Sequence, residues 1–272
     1  MTLAAAPGRI DRETIAERLR EARERTLCLV LPLSDDDLRR QHDPLMSPIL
    51  WDIGHIAHFE ELWLTRNLDG PIEFVEMPGL YNPFEHPRAT RGALPLPGIA
   101  RCREVLDEIR GRVLARLDAV ELDSSHPLLR DGFVYAMVLQ HEYQHDETIL
   151  QTLQLKQGAA YSPPVRLEHP RAASPAAQAG PGAMVRFPGG RVSIGTDDRS
   201  AAYDNERPAH EVDVAPFMID VHPVTNGEFL EFIAAGGYDT PAHWSEAGWR
   251  WRVETGATAP KYWELRGGAW QI

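Results

Sequence analysis

Lysine is almost missing from this chain: Lys156 and Lys261 are the only two, and arginine carries the rest of the positive charge. Even so, 28 basic residues face 40 acidic ones, a formal net charge of -12. A body this acidic argues against nucleic acid and anionic membranes as partners. Cysteine is scarce as well. Cys28 and Cys102 make neither a disulfide framework nor a zinc ribbon, and both sit in helix-like segments among apolar residues, where they read as small buried hydrophobes. No apolar run approaches the length of a membrane span. The opening MTLAAAPGRIDRE has no positive start and no apolar core, so no signal peptide is expected and a cytoplasmic location follows by default. Internal repeats are absent too. The bulk composition is ordinary: 43% hydrophobic and 25% charged over 272 residues, which suits a soluble globular chain of one large or two ordinary domains.

Helical periodicity fills the first 155 or so residues. Asp11 is placed to cap a helix running to about Leu31, with Ile15, Leu19, Ala22, Thr26 and Leu29 inside, and Pro32 stops it. Ser34 caps a short turn through Leu38. Ser47-Pro48 opens a second long helix, with Ser47 as N-cap and Pro48 in the first turn. A third spans about Ile99 to Leu122, and a fourth holds VYAMVLQHEYQHDETILQT from Val134 to Thr152. Four apolar-striped helices predict a bundle.

Two of these helices carry histidine where a core residue is expected. On the fourth, Val134, Val138, His141, His145 and Ile149 step by three or four and share a face. On the second, Trp51, His55, His58 or Phe59, and Leu62 do the same. Two imidazoles one turn apart can reach a single metal ion through neutral ring nitrogens. They also suit a pair of core histidines bonded to nearby polar groups. Metal sites in bundles are built across facing helices, as a set of His55, His141 and His145 would be.

Residues 70 to 97 form a proline-rich connection with aromatics (Phe74, Tyr81, Phe84) that argue for packing on the body. Arg88 and Arg91 in this loop are candidates for gripping an anionic substrate group, against the simpler reading of solvated loop arginines. Residues 157–182 are a Pro/Ala/Gly/Ser-rich linker and the clearest boundary, dividing a bundle over 1–156 from a second domain over 183–272. There MVRFPGGRVSIGT reads as a hairpin about Pro-Gly-Gly, and HEVDVAPFMID alternates again. VTNGEFLEFIAAGG reads as a capped helix, and a tryptophan-rich tail follows. The expected class is α+β.

SPILWDIGHIAHFEELWL and LQHEYQHDETILQTLQ resemble the two signatures of DinB-like bundles. FPGGRVSIGT and NERPAHEVDVAPFMIDVHPVTNGEFLEFI resemble the start of a domain of the formylglycine-generating-enzyme, or sulfatase-modifying-factor, type, whose fold is related to C-type lectins. The fusion is similar to the ergothioneine-biosynthesis sulfoxide synthases. That resemblance implies a DinB-like four-helix bundle followed by an incomplete lectin-like α+β domain. It implies an iron(II) enzyme that uses dioxygen to join γ-glutamylcysteine, or cysteine, to hercynine as a sulfoxide. It implies His55, His141 and His145 as the ligands, with His58 a competitor of His55. It further implies Arg91, or less favourably Arg88, for the thiol substrate's carboxylate, and Gln144 for the histidine-derived substrate. Of Glu142, Asp146 and Glu147, one is expected to support a ligand ring and at least two to be solvated. No tyrosine here matches the family's catalytic one, which is expected beyond residue 272, so a second polypeptide is a candidate for completing the domain. The other readings are a DinB-like metal-dependent thiol transferase or hydrolase, and a non-catalytic truncated homologue.

Overall fold

The computed structural model describes residues 11–68, 79–122, 125–164, 182–198 and 202–271. Phe74 and Pro78 of the proline-rich connection, and most of the linker, lie outside them. The chain divides into two compact units: Met1–Glu168 with Ile194–His210, and His169–Ser193 with Glu211–Ile272.

The first unit is a four-helix bundle. Its long helices are α1 (Arg12–Val30), α3 (Ile49–Leu64), α4 (Ile99–Ala119) and α5 (Phe133–Gln154), with the short α2 (Asp35–Arg39) between the first two. Helix α5 packs on α1 and α3, α3 packs on α4, and α4 closes the ring against α1. Local signals set the ends. Asp11 accepts from the Thr14 amide at the start of α1, and Ser34 and Asp37 form a capping box on α2. Ser47 does not cap α3 as its sequence context predicts: Pro48 takes the cap position without a side-chain bond. The Ser47 hydroxyl is taken instead by Arg91 Nη1 at 2.8 Å. A guanidinium donor offers a charge-assisted bond, which outcompetes a neutral backbone amide.

At the centre of the bundle each long helix contributes one charged residue. Arg23 of α1, Glu60 of α3, Arg110 of α4 and Glu142 of α5 are 6%, 0%, 6% and 1% exposed. They form a closed ring. Arg23 bridges Glu60 (2.7 Å) and Glu142 (2.8 Å), and Arg110 bridges the same two carboxylates at 2.6 and 2.9 Å. Thr26 Oγ1 donates to Glu142, and the Leu106 and Leu19 carbonyls take further guanidinium hydrogens. Every carboxylate oxygen is thus met by a donor, and the charges sum to zero. Burial without such pairing would be prohibitive. Of Glu142, Asp146 and Glu147, at least two of which are expected from the sequence to be solvated, Glu142 and Asp146 are buried and only Glu147 is exposed.

A strap from later in the chain also belongs to this unit. Ala202 is buried, the Tyr203 hydroxyl lies beside the Gln144 side chain, and Arg207 lies 5.4 Å from the Phe133 ring.

The second unit contains β1 (Met184–Phe187), β2 (Gly190–Ile194), β3 (His210–Val214), β4 (Phe217–Asp220), α6 (Asn226–Ala234), α7 (Glu246–Thr255), β5 (Glu264–Arg266) and β6 (Ala269–Gln271), with one end of β2 and of β3 reaching into the first. The expected β1–β2 hairpin does not form. Strand β1 pairs antiparallel with β4 in the register Met184↔Asp220 to Phe187↔Phe217, while β2 pairs with β3. Pro188-Gly189-Gly190 is therefore a kink in one long ribbon rather than a turn. Gly189 adopts φ +78°, and a Cβ there would lie 2.6 Å from the Val214 carbonyl oxygen on the opposite limb, so only glycine permits the crossing. Helix α6, which the sequence reads as a capped helix, starts at a Thr225/Glu228 capping box. The tail's aromatics meet one another: Phe229 contacts Phe232, Tyr238 and Trp263, and Trp263 contacts Trp270.

Candidate metal centre

The buried stripe of α5 runs through Val134, Val138, Glu142 and Ile149, so His141 and His145 stand at its edge, turned toward α3. Helix α3 answers with His55, 7% exposed. One nitrogen from each of the three rings falls within 4.8 Å of the others. His141 Nε2 and His55 Nε2 are 3.2 Å apart. Two nitrogens bound to one ion at the usual imidazole distance would be separated by roughly 3.0–3.4 Å, from octahedral to tetrahedral angles. The donor set thus fits a transition-metal ion held by neutral imidazoles.

Three contacts fix the rings. The His55 Nδ1 lies 2.8 Å from the Tyr81 carbonyl oxygen, which makes Nδ1 the donor and leaves the Nε2 lone pair toward the cluster. His145 Nδ1 lies 3.1 Å from Asp52 Oδ1. His141 stacks on Phe59, with centroids 3.6 Å apart and planes within 6°. Burial and the neighbouring His145 ring push His55 down to about 3 and His141 down to about 2, so both are neutral near pH 7, the form that binds metal.

His58 lies elsewhere. It lines a separate pocket with Gly54, Glu61, Tyr81 and Cys102, between α3 and α4. The Tyr81 ring fills the space over Gly54, where a Cβ would come within 2.1 Å of it, so a glycine here lets the loop carbonyl reach His55.

The loop arginines divide. Arg91 is 5% exposed. Its guanidinium carbon stands 3.5 Å from the Trp51 ring centroid, and Trp51 in turn stacks on His55 at 4.7 Å. Its Nε donates to the His86 carbonyl and its Nη1 to Ser47, both at 2.8 Å. Arg88 is exposed and reaches the Leu45 carbonyl at 3.3 Å. Gln144 is exposed and lies beside the Tyr203 hydroxyl.

Sequence reasoning missed Asp52, one turn before His55 and 1% exposed. Its spacing from His55 was the available signal. The expected ring partner among Glu142, Asp146 and Glu147 is displaced by it. Glu142 belongs to the central ring, Glu147 is exposed, and Asp146 is buried, with burial pushing it up to about 7.

The chain matches known proteins along most of its length. Residues 18–149 match the DinB superfamily, and residues 169–266 match the sulfatase-modifying factor enzyme 1-like domain. A hercynine oxygenase from Mycolicibacterium smegmatis is 45% identical over 264 residues, covering 95% of this chain and 59% of that protein. One from Mycobacterium tuberculosis is 44% identical over 258 residues, covering 94% and 58%. A formylglycine-generating enzyme from Mycobacterium tuberculosis is 42% identical over 59 residues, covering 22% and 19%. The chain therefore spans just under three fifths of the length of the hercynine oxygenases it matches. Over nearly its whole length the chain is similar to the hercynine oxygenases, with residues 18–149 resembling the DinB superfamily and residues 169–266 the sulfatase-modifying factor enzyme 1-like domain.

Proposed function

We propose that this chain carries the metal centre of an iron(II)- and dioxygen-dependent sulfoxide synthase of ergothioneine biosynthesis, which joins γ-glutamylcysteine, or cysteine, to hercynine. The observation that carries the reading is the convergence of His55, His141 and His145 in a chain whose relatives are hercynine oxygenases. Bound there, iron(II) would supply dioxygen activation and a lowered thiol pKa, whereas zinc would accept the ligands without the redox chemistry.

The residues of the chain bind and orient. Three imidazole ligands leave part of the coordination sphere open, so substrates can be held beside one another. Arg91 serves the thiol substrate's carboxylate. With Nε and Nη1 committed to the protein, the group that remains for this is Nη2. Arg88, exposed on the same loop, is the second candidate, and Gln144 serves hercynine beside the α5 ligands. In this reading the bundle occupies residues 1–156, the linker 157–182, and the second domain begins at 183. A second polypeptide that completes that domain and a cytoplasmic location belong to the same proposal. No helix among the described residues is long and apolar enough to cross a membrane.

Anaerobic reconstitution with iron(II) should load close to one ion per chain, and His141→Ala should abolish loading. Iron retained by that variant would overturn the ligand set. Incubation with iron(II), dioxygen, hercynine and either thiol, followed by mass spectrometry, tests the reaction. Absence of the coupled sulfoxide with both thiols refutes the activity.

A further inference from the structure

Asp52 is a buried carboxylate that folding energetics do not explain. Its neighbours in charge, Glu60 and Glu142, are as deeply buried, yet both oxygens of each are met by guanidinium donors. Among the described residues Asp52 accepts one hydrogen bond, at Oδ1 from His145 Nδ1, 3.1 Å away. Its Oδ2 is sealed from solvent and has no partner among the described residues. An unpartnered buried acceptor lowers stability, and a leucine would pack this first turn of α3 without that penalty. What the carboxylate gains is the ring opposite. Asp52 and His55 are three residues apart on one helix, so α3 presents a nitrogen to the cluster and an oxygen to the α5 histidine in one rigid piece.

We propose that Asp52 is a positioning residue of the metal centre: its Oδ1 fixes the His145 ring with Nδ1 as donor, so that Nε2 faces the His55 and His141 nitrogens. This rests on the three-histidine reading. Each ring then has its own holder: a backbone carbonyl for His55, a stacked Phe59 for His141, and a carboxylate for His145. The carboxylate alone among them carries charge, and it makes the ring it holds the more basic donor. Arg91 is near enough to feel the Asp52 charge, which opposes the lowering of its pKa by burial. The residue proposed to grip substrate and the residue holding a ligand are therefore electrostatic neighbours.

The test is cobalt(II) and iron(II) binding to the full chain by wild type, Asp52→Leu and Asp52→Asn, with His141→Ala as control. Asp52→Leu is expected to weaken affinity about 10–100-fold and to shift the visible bands of the cobalt-loaded protein. Thermal unfolding of its metal-free form should be unchanged or later. Asp52→Asn keeps an acceptor oxygen and should recover most of the affinity and a near wild-type spectrum. A leucine variant with wild-type affinity and spectrum overturns the inference, as does an asparagine variant as weak as the leucine one. If the leucine variant does not fold, Asp52→Ala is read by the same criteria. If wild type binds neither metal, or His141→Ala binds as well as wild type, the three-histidine reading itself falls.

Discussion

Replacing Arg110 by methionine removes one corner of the ring that ties the four long helices together. Arg110 meets Glu60 at 2.6 and 3.1 Å and Glu142 at 2.9 Å, and it also donates to the Leu19 carbonyl. Methionine fills much of the volume but offers no donor. Two carboxylates, 0% and 1% exposed, would then share the single guanidinium of Arg23. Breaking a buried pair by deleting one partner costs about 3–5 kcal/mol. For a unit of this size each kcal/mol lowers the melting point by about 2–4 °C, so the variant should melt roughly 6–20 °C early. The contrast is a variant with all four members replaced by hydrophobics of similar volume, which should be neutral or more stable by about 1–4 kcal/mol. Circular dichroism at helical wavelengths on metal-free protein follows the bundle. A single Arg110→Met variant within about 1 kcal/mol of wild type would show that the ring is solvated or energetically idle, and would refute the reasoning.

Gly54→Ala should expel the Tyr81 ring, because the new Cβ would sit 2.1 Å from it, and should cost about 1–3 kcal/mol by overpacking; calorimetry reads the loss, and metal titration should show weakening as the Tyr81 carbonyl leaves His55. Ser47→Ala should cost about 1–3 kcal/mol by stranding Arg91 Nη1, whereas Thr at this position should keep most of the stability. Burial alone would raise the Glu60 pKa, but the Arg23 and Arg110 charges outweigh it and hold it below the ordinary value of 4.5. Its contribution is therefore complete above that pH and is lost as pH falls through the folded pKa; Glu60→Gln should lose this acid dependence, seen as a flatter melting-point profile below about pH 4.5.

The helices were legible because their signals are local. Asp11, Ser34 and Thr225 cap as short-range chemistry dictates, and the three- and four-residue steps of His141 and His145 fix their common face. That His55 rather than His58 meets those two is an expectation from the family resemblance, since spacing alone leaves both open; the three ring nitrogens of His55, His141 and His145 converge. The central ring was hidden because Arg23, Glu60, Arg110 and Glu142 are far apart in sequence, and a charge on a helix reads as solvated until its partners are known. The pairing of β1 with β4 was hidden for a related reason. Pro-Gly-Gly is as good a turn as a kink, and only the close approach of Val214 at Gly189 distinguishes them. Ser47 failed as a cap because a distant arginine competes for its hydroxyl.

The strap of residues 194–198 and 202–210 bears on how this protein can be cut and recombined. A truncation at the linker yields a bundle with the Phe133 ring stripped of the cover that Arg207 provides. The linker is a gap in the sequence, but the bundle's surface continues past it. Grafting a different second domain after the linker would therefore carry over a bundle missing part of its own surface. The two units alternate along the sequence, and a recombination that respects their borders must keep the strap with the helices it covers.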